Sequence, residues 1–450
     1  MTITDDRSTA GRNAAIFPDD QSRSAALYQR ARRVLPSGNS RTTVFFKPYP
    51  TYMRSGEGAR VVDEDGVERI DFINNYSALI HGHRHPAIME AVADQLTRMT
   101  GVGAPTESEI ALAELLAERL AGVDQVRFTN SGSEAVMMAI KAARAFTGRP
   151  KIAKAEGAYH GSYDFAEVSQ QAGADEWGDP LRPNSVANYA GQPQSVLDDV
   201  VILPWNDVEA SRTLLEEHGE DLAAVLIDPL PSRLGLTPIS PAYLAMLRET
   251  TAKTGTLFIL DEVYSLRLGY HGAQGELGFA PDLTSMAKII GGGFPVGAVG
   301  GREEVMSVFA FDSGRPKLTH GGTYNANPIT MVAGRKAMEL LTPESLDRLD
   351  RLGRRMREGL AECLTVAGRA GQVKGQGSLA LLSLSDRPFE NNRDLAYAAT
   401  FAEQQAAIQR TLLNSGVFIS PALAFTLSTA MDERDIDFAL EQVLAALRAL

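Results

Sequence analysis

Residues 257–301 read LFILDEVYSLRLGYHGAQGELGFAPDLTSMAKIIGGGFPVGAVGG. The stretch opens with a short apolar run, Leu257 to Leu260, and the run ends on two carboxylates, Asp261 and Glu262. Farther on stands Lys288, between Met286-Ala287 and Ile289-Ile290, followed by three glycines. Apolar surroundings disfavour an ammonium, so they lower a lysine's pKa and free the neutral amine as a nucleophile. A neutral amine is what condenses with an aldehyde. The same residues also suit a strand-end acid and a surface lysine beside a glycine turn, and the rest of the chain decides between the two.

Upstream, short apolar runs alternate with helical patterns. Strands are predicted at 125–129, 151–154, 200–203, 223–227 and 256–260, and helices at 86–97, 107–120, 133–147 and 241–254. Such alternation implies an α/β fold, a mostly parallel sheet covered by helices on both faces. Residues 170–198, rich in Gly, Pro, Asn and Asp, read as a long irregular loop, and a further helix is expected over 328–341.

The chain ends have a different texture. Helical spacing over 22–35 stops at Pro36-Ser37-Gly38, and the alternation in 60–73 around Asp65-Gly66 predicts a hairpin. The last helix places Ile436, Leu440, Val443, Leu444 and Leu447 on one face. We expect the two ends to form one small α+β domain, residues 1–75 with 336–450, beside a large domain at 76–335. Residues 1 to about 20 read as mobile.

Bulk properties exclude some functions. A net charge of −12 argues against a nucleic-acid surface. The single cysteine, Cys363, rules out an intrachain disulfide and thiolate metal clusters. No apolar run approaches a membrane span, so a cytoplasmic protein without membrane contact is expected. His81, His83 and His85 lack the carboxylate spacing of a metal site, and no metal is expected.

Ser131-Gly132-Ser133-Glu134 follows a predicted strand and opens a helix. Ser131 and Glu134 have capping-box spacing, and the same hydroxyls and helix-start N–H groups make an anion site. Pyridoxal 5′-phosphate (PLP) needs both features found so far, a phosphate cradle and an amine for its aldehyde. Tyr159 is an aromatic that suits stacking on a pyridine ring, Asp261 a carboxylate that suits its nitrogen, and Val263 lies on the same face as Asp261.

These segments resemble the class III, fold-type I PLP-dependent aminotransferases, and within them the glutamate-1-semialdehyde aminomutases and β-amino-acid aminotransferases. The resemblance rests on PSGNSRTTVFF, NSGSEAVMMAIKAARAFTGR, EGAYHGSYD, LDEV, MAKIIGGGFPVGAVGG and HGGTYNANPITMVAG, which span nearly the whole chain. It implies that Lys288 holds PLP covalently and shuttles a proton, and that Asp261 binds the pyridine nitrogen. Tyr159 and Val263 would sandwich the ring, and Ser131, Gly132 and Ser133 would bind the phosphate. Thr323 would reach the phosphate in a neighbouring subunit, which requires a homodimer with shared active sites.

The resemblance further implies an amino donor and an oxo acceptor as substrates. Arg41 would hold a substrate carboxylate, although a surface role suits it equally. The chain departs from the pattern at Ala422, where relatives carry a second arginine, which places 2-oxoglutarate in doubt as acceptor. Asp228 replaces a usual glutamate, and Arg233 falls where small or polar residues are usual. The implied reaction is amino-group transfer between a carboxylate-bearing amino compound and a keto acid or aldehyde. The alternative is a 2,1-aminomutase; racemase, decarboxylase and non-catalytic PLP-binding readings rank below both.

Overall fold

The computed structural model describes residues 16–311 and 314–450, apart from the side chain of Ala399. Seven short runs form the main sheet: β1 (Gln125–Thr129), β2 (Lys151–Ala155), β3 (Val200–Leu203), β4 (Leu222–Ile227), β5 (Leu257–Asp261), β6 (Leu283–Ala287) and β7 (Gly297–Gly301). Their order is β1-β7-β6-β5-β4-β2-β3. From β6 to β3 every neighbouring pair is parallel, while β7 runs antiparallel to both β6 and β1.

The apolar continuity of β5 has a direct cause. Leu257 and Ile259 face one side, packing with Val136, Ile140 and Ala143 of helix α1 (Gly132–Thr147). Phe258 and Leu260 face the other, against Tyr243, Leu244 and Leu247 of helix Pro241–Thr254. Both faces are covered, so no polar residue interrupts the strand until Asp261. Each of the buried Val, Leu, Ile and Phe side chains contributes about 1.5–3 kcal/mol before conformational entropy is counted.

Strands β6 and β7 were not expected from the sequence. Glycine-rich β7 carries no strand signature, yet its glycines are required by close packing. A Cβ on Gly297 would come within 2.0 Å of the Ser131 carbonyl oxygen. The bare backbone lets the start of α1 lie directly against the sheet.

The chain ends meet in a second sheet. Strands Met53–Glu57, Arg60–Asp63 and Glu68–Asp71 pair antiparallel, and Val417–Phe418 adds parallel to the last of them. Beneath it, Arg69 pairs with Asp63 at 2.5 Å and donates from Nε to the Leu413 carbonyl at 2.7 Å. Phe17 is buried, and its backbone N–H and C=O both bond the Asn414 side chain, so residues 16–20 are anchored rather than mobile. The rest of that expectation, for residues 1–15, lies outside the described residues. The first helix covers Arg23–Ala31, shorter than the spacing suggests, and its end unwinds into turns before Pro36. The irregular stretch 170–198 contains a two-strand ribbon, Gly178–Asp179 with Arg182–Pro183, and the short helix Gln194–Asp198. No helix among the described residues is long and apolar enough to cross a membrane.

Candidate active site

Asp261 stands at the carboxyl end of β5, where ligands of parallel sheets bind. It is buried, and its carboxylate is held from several sides. Oδ1 accepts from the Val263 N–H at 3.1 Å and from Ser285 Oγ at 2.9 Å. Oδ2 lies 2.7 Å from Nδ1 of buried His160. Burial pushes the His160 pKa down against the attraction of Asp261, so the ring is neutral at pH 7 and donates from Nδ1. Its Nε2 is buried without a hydrogen-bond partner among the described residues.

The cradle segment opens α1. Ser131 caps the helix, its Oγ accepting from the Glu134 N–H at 3.2 Å, while Glu134 Oε2 reaches back to the Asn130 N–H at 2.7 Å. Ser131 is therefore the N-cap, although the box is incomplete because Glu134 bonds the backbone N–H of Asn130 and not that of Ser131, and the N–H groups of Gly132 and Ser133 are left without intrahelical acceptors. Their dipole end attracts anions. Ser133 Oγ accepts from the Ser162 N–H at 3.0 Å, which ties the cradle to the Tyr159–Ser162 turn. Gly132 meets Val263 so closely that a Cβ would sit 2.9 Å from Val263 Cγ1. Asp261, Val263 and the cradle thus lie side by side.

Lys288 begins the tight turn Lys288–Gly291 after β6, with a left-handed backbone at φ 53°. A non-glycine residue in that region stores about 1–3 kcal/mol, a strain that clusters at functional sites. Its Nζ lies 5.6 Å from the Tyr264 ring centroid. Burial lowers its pKa, opposed by the carboxylates of Asp261 and Asp228. Asp228, at the end of β4, is pushed well above the usual carboxylate range by burial first and by Asp261 second. An amine biased toward neutrality thus lies in the field of two buried acids.

The remaining expected residues stand apart. Tyr159, 41% exposed, adjoins His160, and the Arg233 guanidinium lies over its ring at 5.4 Å. Arg41 is exposed and donates from Nη1 to Asn75 Oδ1 at 2.9 Å, without touching Lys288 or Asp261. Thr323 is exposed and likewise touches none of the cradle residues by a hydrogen bond; its segment is tied to the cradle through Asn325 Oδ1, which accepts from Asn130 Nδ2 at 2.8 Å. Ala422 is exposed. His81 bonds Thr429 and the Ala337 carbonyl, and His83 bonds Asp71. Among the described residues no group of three or more His, Cys, Asp or Glu could hold a metal ion.

Sequence reasoning missed His160, Tyr264 and Ser285 as parts of the site. For His160 a signal existed, because it directly follows Tyr159. Ser285 and Tyr264 carried none, since their approach depends on strand register and on a turn.

A family model for class-III aminotransferases matches residues 46–440. The chain is 36% identical over 434 residues to glutamate-1-semialdehyde 2,1-aminomutase 2 of Halalkalibacterium halodurans, covering 95% of this chain and 98% of that protein. An omega-transaminase from Sphaerobacter thermophilus is 54% identical, with a TM-score of 0.94 over 96% of this chain and 99% of that one. A β-phenylalanine aminotransferase from Variovorax paradoxus is 34% identical, with a TM-score of 0.83 over 95% and 93% of the two chains. A match of that extent takes in the sheet, the cradle and the lysine turn together, and the chain accordingly belongs to the class-III aminotransferases, which depend on PLP.

Proposed function

We propose that this chain moves an amino group from a carboxylate-bearing amino compound, β-amino acids included, to a keto acid or aldehyde. The observation that carries this reading is the pairing of a half-buried, strained Lys288 with the strand-end Asp261. The residues fit PLP. A carboxylate offers about four acceptor positions, and three of those on Asp261 are taken by Val263, Ser285 and His160. The one left on Oδ2 suits a pyridinium N–H. Gly132 and Ser133 offer backbone N–H groups, and Ser133 its hydroxyl, for a phosphate; the Ser131 hydroxyl, which donates to Glu134 Oε2 at 3.2 Å, would join them by turning away from that carboxylate. When bound, PLP supplies the electron sink that makes a substrate C–H acidic.

The chain's own residues do the rest. Lys288, its pKa lowered by burial, would hold the aldehyde carbon and afterwards carry a proton at Nζ. His160 donates to Asp261 and keeps its carboxylate oriented, as an outer partner does for a ligand. Val263, fixed by Gly132, and Tyr159 would press on the two faces of the ring. Arg41 would take the donor's carboxylate through its planar fork. Thr323 would reach the phosphate of a second copy, making the protein a homodimer. We also assign residues 76–335 to a PLP-binding domain, the two chain ends to a smaller one, and the protein to the cytoplasm. The likeness to aminomutases over 434 residues favours a second reading, transfer within one molecule.

Borohydride reduction of the holoenzyme should add the cofactor's mass to the peptide containing Lys288, and Lys288→Ala should abolish both labelling and turnover. Labelling elsewhere would refute the lysine assignment. Donors are then screened with a keto acid present; if no amino compound transfers its amino group and one substrate is isomerised, the mutase reading replaces this one.

A further inference from the structure

Arg233 is an exposed guanidinium held in place by an aromatic ring instead of an acid. It lies in the turn Ser232–Leu234 that follows β4, at the same sheet end as Asp228 and Asp261. Its Cζ is 5.4 Å from the Tyr159 ring centroid. Nearby cations have acids of their own: Lys374 pairs with Glu390 at 3.1 Å and Arg393 with Glu156 at 2.9 Å. Among the described residues Arg233 makes no ion pair and no side-chain hydrogen bond. A guanidinium over a ring face is held by the ring's quadrupole. Its N–H donors radiate in its own plane and stay available to a planar carboxylate.

Both members of this stack are braced from behind by one segment. Gly235 lies so near Phe389 that a Cβ would come within 2.3 Å of that ring, and Lys374 Nζ donates to Thr237 Oγ1 at 3.1 Å. On the Tyr159 side, Arg393 grips Glu156 with bonds of 2.9 and 3.0 Å, and Asn392 packs on Gly157. Residues 389–393 therefore set the spacing between the Arg233 turn and the Tyr159 turn. From Tyr159 the chain passes at once to His160 and its bond to Asp261. Arg233 is thus a cation positioned over Tyr159, the chain neighbour of His160.

We propose that Arg233 is a specificity-determining residue that receives the carboxylate of the keto-acid acceptor. The inference rests on the transaminase reading above. A β-amino acid carries its carboxylate two bonds from the amino-bearing carbon, whereas an α-keto acid carries it one bond from the carbonyl carbon. Both carbons must occupy the same place beside Lys288, so one fixed cation cannot meet both carboxylates. Arg41, tied to Asn75, and Arg233, over the Tyr159 ring, lie on separate elements and supply two.

The test compares pyruvate with acetaldehyde as acceptor for the holoenzyme at saturating donor. In Arg233→Leu the ratio of kcat/KM for pyruvate over acetaldehyde should fall about tenfold or more, the loss of one charge-assisted bond pair, chiefly through KM. Arg233→Lys should recover part of it. Calorimetric binding of pyruvate to the holoenzyme without donor should weaken by a similar factor. That measurement needs no turnover, so it stands even if the transaminase reading fails. Unchanged ratio and unchanged pyruvate binding would show a merely solvated cation and overturn the proposal. A loss confined to the donor's carboxylate would overturn it too.

Discussion

Gly132→Ala tests how tightly the cradle is built against the strand ends. The added Cβ would lie 2.9 and 3.1 Å from the two Val263 methyl carbons and 3.3 Å from Ala287 Cβ. Carbons in contact prefer about 3.5–4.0 Å, so α1 and Val263 must separate by roughly 0.5–1 Å. Overpacking of this kind costs about 1–3 kcal/mol. The displacement falls on Val263, two residues beyond Asp261, and on Ala287, which precedes Lys288. PLP retention should therefore weaken along with stability, and about 1.4 kcal/mol there is tenfold in affinity. Urea unfolding reports the first effect and fluorescence titration of PLP the second. Val263→Ala removes both obstructing methyl groups, so in that background Gly132→Ala should cost at least ~1 kcal/mol less. Additive costs in the double variant, or no cost in the single one, would refute the packing argument.

Lys154 is fully buried, its Nζ donating to the Val168 carbonyl at 2.8 Å, and burial pushes its amine down to about 7 against the pull of Glu156 and Glu167. In the unfolded chain a lysine ionises near ~10.4, so between the two values the unfolded state binds the extra proton and stability rises with pH. Lys154→Met should flatten that rise, by up to ~1.4 kcal/mol per pH unit; parallel curves of urea midpoint against pH for the two proteins would rule this out. Arg393→Ala strands the Glu156 carboxylate, whose side chain is 6% exposed. Breaking such a pair costs about 3–5 kcal/mol. Restored stability in Arg393→Ala with Glu156→Gln would show that the stranded charge is the cause, and an unfolding midpoint unmoved by Arg393→Ala would contradict it.

The parallel core of the fold was legible because burial on both faces leaves an unbroken apolar record, as in β5. Strand β7 was not, because its glycines answer to the approach of the Ser131 carbonyl, a contact across the sequence. At the site, residues that must be one chemical type stood out: Lys288 among apolar neighbours, Asp261 at a strand end, and the serines opening α1. Residues that act by register or stacking did not. Ser285 reaches Asp261 only because β6 lies beside β5. The position of Arg233 depends on a distant segment folding over its turn. Asp228 was visible as a substitution, but its raised pKa follows from burial beside Asp261, which no spacing reports.

The sheet that joins the chain ends also sets an order of events in time. Arg69 bonds a carbonyl 344 residues farther along the chain. At about 5–20 residues per second on the ribosome, that partner emerges roughly 17–70 s after Arg69 does. Until then the hairpin strand Glu68–Asp71 has an open edge and Arg69 lacks one of its two partners. The β1–β7 sheet, by contrast, is complete once Gly301 has emerged. All seven strands of that sheet are thus available early, whereas the edge of Glu68–Asp71 waits for Val417–Phe418.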